Sequence, residues 1–174
     1  MSKDPLDPRV LQYVESEGGP PLSLGQATTI AGRAAWTEGA LSIFDQIIPP
    51  GLIVAPHVHE KESQASFVIS GRLGFWVGGE EIEVGAGGYV HRPVGVPHSL
   101  WNKQDEPARM LEITTPGESF EVYMQAMSDL LDSGEATPET AAALAAEYGV
   151  RFVPEPFADL CERHGVSPEG GFWK

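Results

Sequence analysis

The stretch "GLIVAPHVHEKESQASFVISG", Gly51–Gly71, decides how the rest of the chain is read. Side chains two residues apart on a β-strand project from the same face. His57 and His59 therefore point together, and an ion about 2.0–2.1 Å from each imidazole nitrogen is a natural guest. Pro56, just before them, holds the backbone extended and removes one amide donor. The polar turn "EKES" follows, and a second strand starts at Gln64, with Gln64, Ser66 and Val68 on one face. If that strand neighbours the first, Gln64 comes close to the two histidines.

A second stretch, "GGYVHRPVGVPHSLWN" (87–102), offers another imidazole. Pro93, Gly95 and Pro97 enforce a tight corner, after which His98 opens a strand and shares a face with Leu100 and Asn102. Delivered from a neighbouring strand, His98 would complete a set of three imidazoles with positions left open for substrate or water.

Around these stretches the pattern is strand-like. Gly and Pro punctuate short β-prone runs near 22–30, 40–47, 52–59, 64–70, 73–77, 80–84, 88–92, 98–103 and 109–115, the signature of an all-β sandwich or barrel. Gly78-Gly79 reads as a hairpin turn. After Pro116 the period becomes helical, with Phe120, Tyr123, Met127, Leu130 and Leu131 on one face. Thr137-Pro138-Glu139 opens a second helix, closed by Gly149, and "PFADLCERHG" forms a third. The expected organisation is an N-terminal arm (1–21, with a short candidate helix at "DPRVLQYVES"), a β domain (22–116) and a helical tail (117–174) packed on it.

Eleven basic against 25 acidic residues give a net charge of −14. That argues against nucleic acid and anionic membrane surfaces as partners. No apolar run is long enough to span a bilayer, and "MSKDPLDPRV" lacks a signal pattern. The expectation is a cytoplasmic protein with a small-molecule substrate. Cys161, the one cysteine, reads as a free thiol on the last helix.

The two histidine stretches resemble the cupins. The first cupin motif is Gly-x5-His-x-His-x3,4-Glu-x6-Gly, and Gly51, His57, His59, Gln64 and Gly71 follow it with glutamine in place of glutamate. The second is Gly-x5-Pro-x-Gly-x2-His-x3-Asn, and Gly87, Pro93, Gly95, His98 and Asn102 match it throughout. The layout of arm, single barrel and helical tail looks most like the quercetin-dioxygenase-like monocupins. The resemblance implies a mainly β fold, the double-stranded β-helix or cupin jelly roll, with the C-terminal helices as an appendage. It implies one divalent metal per chain (iron, manganese, nickel, cobalt, copper or zinc in different members) and a homodimer. Carried over by position, His57, His59 and His98 are ligands, and Gln64 stands where the fourth ligand, a carboxylate implicated as substrate base in quercetinase-like enzymes, normally is.

Glutamine keeps the size and one oxygen but loses the charge and the capacity to take a proton. Three readings follow. One is a dioxygenase acting on a small chelating aromatic or enolic molecule that is already acidic. Another is a non-oxidative enzyme (cyclase, isomerase or decarboxylase) using the metal as Lewis acid. The last is a ligand-binding module without turnover. Glu112 supplies a replacement base if its strand face lines the cavity, although a solvent-facing glutamate on a two-faced sheet is the simpler reading. His91 is either an acid/base group at the pocket or a structural hydrogen-bonding residue. Glu60 and Glu62 read as solvated turn residues, and Arg72, Arg92 and Arg109 either meet an anionic substrate or, as the simpler reading, bear surface charge. Parity turns Phe67 and Trp101 away from the Gln64 and His98 faces.

Overall fold

The computed structural model describes residues 21–167. The expected arm and its short helix lie outside these residues, Pro21 excepted. The elements in chain order are β1 (Leu22–Ser23), β2 (Ala27–Gly32), β3 (Ser42–Ile48), β4 (Ile53–His59), β5 (Ser63–Ser70), β6 (Arg72–Val77), β7 (Glu80–Gly85), β8 (Tyr89–Arg92), β9 (His98–Trp101) and β10 (Ala108–Thr115). The tail adds α1 (Glu118–Ser133), α2 (Pro138–Glu147), β11 (Val150–Phe152) and α3 (Phe157–His164). The strands form two antiparallel sheets of a jelly roll, ordered β1-β2-β3-β10-β5-β8 and β11-β4-β9-β6-β7.

Local chemistry explains the punctuation. Gly78 and Gly79 both take positive φ, 60° and 101°, as a tight two-residue hairpin between β6 and β7 requires. Thr137 caps α2 by accepting from the Thr140 amide, and the Thr140 hydroxyl accepts from the Thr137 amide in return. Gly134 ends α1 in the left-handed conformation.

Three apolar clusters hold the parts together. Ile48, Leu52, Val68, Leu73, Phe75, Leu100 and Met110 form one cluster within the barrel. In a second, α1 lays Phe120, Tyr123, Met124 and Met127 on Phe44, Leu22 and Leu24. Outside the five-stranded sheet, Leu160 of α3 and Val166 pack on Ile53 and Trp101. Each such side chain, fully buried, contributes about 1.5–3 kcal/mol of transfer free energy.

The tail is not purely helical. β11 pairs with β4 in the register Val150↔His59, Arg151↔Val58, Phe152↔His57, which extends the sheet alongside the histidine strand. Its apolar-charged-apolar alternation, Val150-Arg151-Phe152, is three residues long and carries too little periodicity to be read from sequence.

Gly74 is a position where only glycine fits. It stands opposite Trp101 on β9, whose indole ring lies over it; a Cβ built there would sit 2.1 Å from Trp101 Cε2. The His164 ring stacks on the same indole at 4.1 Å. Gly74→Ala is expected to push Trp101 off its site and lower stability by about 1–3 kcal/mol, as overpacking does. A chemical denaturation curve checks this, and an unchanged midpoint would show that the indole relocates freely.

Candidate metal centre

β4 and β9 bring the imidazoles together, because His57 and His98 are cross-strand partners and His59 follows on the same face of β4. The pairing shifts register between Val54 and His57, an irregularity just before the histidines. The three rings lie 4.5, 5.0 and 5.5 Å apart between centroids, and one nitrogen from each falls within 4.8 Å of the others. His59 and His98 are fully buried, while His57 keeps partial access through the cavity.

The backbone orients two of the rings. His57 Nδ1 lies 2.7 Å from the Ala55 carbonyl and His98 Nδ1 lies 3.0 Å from the Val96 carbonyl. A carbonyl only accepts, so each Nδ1 carries the proton and each Nε2 presents a lone pair. Burial pulls the His57 pKa down to about 3, helped by neighbouring His59, and holds His98 well below its ordinary value, helped by His57 and Arg92. Both rings are therefore neutral at neutral pH, the state that binds metals.

Gln64 reaches the site from across the barrel. Its strand, β5, belongs to the other sheet and does not neighbour β4. Gln64 Oε1 nevertheless lies 3.0 Å from His98 Nε2. In that orientation two lone pairs converge, an arrangement that a cation resolves; with the amide turned over, its NH₂ would donate to the ring instead. Among the described residues, neither ring nitrogen of His59 has a hydrogen-bond partner. Bare, converging nitrogens in a largely apolar cavity suit a divalent ion of the kind that accepts imidazole ligands.

The remaining expected residues are placed as follows. Glu112 is buried, contrary to the simpler reading of a solvent-facing residue, and lines the cavity. Arg92 is not surface charge, the simpler of its two readings: it also lines the cavity and forms a buried ion pair with Glu112. Ser66 Oγ accepts from Arg92 Nη2 at 2.6 Å and donates to Glu112 Oε2 at 3.0 Å. Arg92 Nε and Glu112 Oε1 have no partner among the described residues. His91 points the other way: it is exposed on the outer face of β8 and bonds Ser63 Oγ at 2.7 Å, so it cannot act as an acid or base in the cavity. Arg109 pairs with Asp45 at 2.9 Å between outer side chains. Phe67 is exposed and Trp101 lies beneath α3, both away from the histidines, as strand parity requires.

Sequence reasoning missed Glu62. Expected in a solvated turn, it is 2% exposed, and its Oε2 lies 3.4 Å from His59 Nδ1. It also missed the part α1 plays. Phe120, Tyr123, Met124 and Met127 roof a cavity of about 120 Å³ whose other walls include His57, His59, Gln64, Arg92 and Glu112. The Phe120 ring meets His59 edge-on at 5.3 Å. Burial raises the Tyr123 phenol well above its ordinary value, so it remains protonated.

Comparison with known proteins agrees with this geometry. The cupin domain family model matches residues 44–114. The chain carries a cupin domain. Quercetin 2,3-dioxygenase from Bacillus subtilis (strain 168) is 26% identical over 124 residues, which is 71% of this chain and 36% of that protein. The chain thus spans little more than a third of that relative. Among solved structures, KdgF from Halomonas sp. superposes with a TM-score of 0.58 at 15% identity, covering 64% of this chain and 99% of its own. A predicted oxalate decarboxylase from Thermotoga maritima gives 0.56 at 18% identity, covering 60% and 98%. At these identities the two structures share the cupin fold with this chain. The family match ends at Thr114, so α1, which roofs the cupin cavity, lies beyond it.

Proposed function

We propose that this cupin is a metal-dependent dioxygenase of the quercetinase type, acting on a small chelating molecule with an acidic enol or catechol-like group. The observation that carries the reading is the convergence of three imidazoles and Gln64 beside an apolar cavity that His57, His59 and Gln64 line. His57, His59 and His98 would hold the ion and Gln64 would stand beside it. A bound divalent metal would supply Lewis acidity and, if redox-active, electron exchange between a chelating anion and oxygen.

The chain's own residues set the rest. Phe120, Met124 and Met127 exclude water and seat an apolar ring. With no carboxylate at position 64, the substrate has to arrive as an anion, or give its proton to another group. Size narrows the choice further. A cavity of about 150 Å³ holds benzene, so about 120 Å³ seats a single ring or a short diketone, and any larger guest would extend through the cavity mouth.

Oxygen uptake with a small diketone or a catechol, by protein carrying one equivalent of iron, manganese, nickel, cobalt or copper, tests this reading. No uptake with any loaded form would overturn it. Gln64 itself favours a second reading, a non-oxidative enzyme, because the missing charge leaves the ion a stronger Lewis acid. Turnover under argon would select that one.

Restoring the carboxylate is informative. Gln64→Glu is expected to tighten metal binding roughly tenfold or more, since a charge pair near 4 Å is worth a few kcal/mol at an effective dielectric of about 20. Isothermal titration with the metal checks it, and equal or weaker affinity would show that residue 64 does not face the ion.

A further inference from the structure

Two of the three imidazoles are oriented by a carbonyl two residues earlier in the chain. His57 Nδ1 uses Ala55 and His98 Nδ1 uses Val96. His59 has no such contact; what faces its Nδ1 is the Glu62 carboxylate, with Oε2 at 3.4 Å. Both groups are sealed from water, His59 at 1% and Glu62 at 2% exposure. Among the described residues, neither His59 nitrogen nor Glu62 Oε2 has a hydrogen-bond partner.

Burying a carboxylate is costly unless something answers its charge. Here the backbone enforces the burial. The turn between β4 and β5 is clamped on one side by the Glu60 amide donating to the Gly149 carbonyl at 2.8 Å. On the other side, the Gly95 amide donates to the His59 carbonyl at 2.8 Å. β11 runs beside His59 and closes the edge. These contacts hold the turn's backbone in place; Glu62 within it is buried, and the group in front of it is an imidazole.

We infer that Glu62 is a positioning residue: its carboxylate fixes His59 as the Nδ1–H form, so that Nε2 is presented to the metal, and it supplies from behind the ring the negative charge that Gln64 withholds in front. The inference rests on the metal reading above. A carboxylate behind a ligating imidazole raises its basicity, and losing such a partner weakens metal affinity about 10–100-fold. The centre would then be a neutral set of direct ligands with a displaced counter-charge. Such a centre puts no acidic oxygen at position 64, and the Glu112 carboxylate in the cavity lining is paired with Arg92, which suits an anionic chelating guest.

The experiment has two arms. In the first, the ring ¹⁵N shifts of metal-free wild-type protein are measured, with His59 assigned by its loss in His59→Gln. A protonated Nδ1 and bare Nε2 are expected; a protonated Nε2 overturns the inference. In the second, Co²⁺ alone is titrated into wild type, Glu62→Gln and Glu62→Ala, each shown to be folded by its amide spectrum. Glu62→Gln keeps the shape and an acceptor oxygen but no charge, and it is expected to bind Co²⁺ about 10–100-fold more weakly than wild type. Affinity within twofold of wild type in Glu62→Gln overturns the charge role, whatever Glu62→Ala does. If wild type itself takes up no Co²⁺, the metal reading fails with the counter-charge, and the ¹⁵N arm still decides the contact.

Discussion

Arg92→Met is expected to destabilise the protein by about 3–5 kcal/mol, because it leaves the Glu112 carboxylate buried with only the Ser66 hydroxyl to answer it. Both partners are nearly inaccessible, at 2% and 3% exposure, so water cannot replace the guanidinium. The double variant Arg92→Met, Glu112→Leu should recover most of the loss, since a buried ion pair is often matched by apolar side chains of similar volume. Urea denaturation of the single and double variants separates the pair's own contribution from the penalty of an orphaned charge. A single variant within about 1 kcal/mol of wild type would mean that Glu112 takes up a proton or reaches solvent when alone.

The second large effect concerns the ligands. Four-ligand zinc sites in small domains release about 10–16 kcal/mol, or roughly 3 kcal/mol per ligand. Replacing His57 or His98 with alanine should thus weaken metal binding more than about 100-fold. The fold should survive, because Ile48, Val68, Leu73, Phe75 and Met110 pack in a core cluster that includes none of the histidines. Elemental analysis of protein purified without chelators, beside a thermal melt, reads both consequences. Retained metal in either variant would place the site elsewhere.

The histidines were legible in the sequence because strand parity and Gly/Pro corners are local rules. The β4 and β9 bounds, 53–59 and 98–101, fall within the expected 52–59 and 98–103. What stayed hidden was which face of a strand is the inside. On β10, Leu111 and Ile113 suggest an inward apolar face, yet they are only partly buried, while Glu112 and Thr114 point in. The outer face of this six-stranded sheet is unusually apolar, with Ile47, Phe67, Ile69 and Tyr89 exposed on its strands. The inner face is polar where Arg92, Ser66 and Glu112 meet. Glu62 was hidden for another reason: a polar turn looks solvated until residues about 90 positions later, at Gly149 and Val150, fold over it.

The roof over the cavity and the holders of the ion come from separate stretches of chain. His57, His59, Gln64 and His98 lie on β4, β5 and β9, whereas Phe120, Tyr123, Met124 and Met127 lie on one helix after the barrel has closed. The two sets can therefore diverge independently. A library that varies the four helix positions among apolar side chains of similar volume would explore new guests against a constant ion while keeping the cluster they form with Leu22, Leu24 and Phe44.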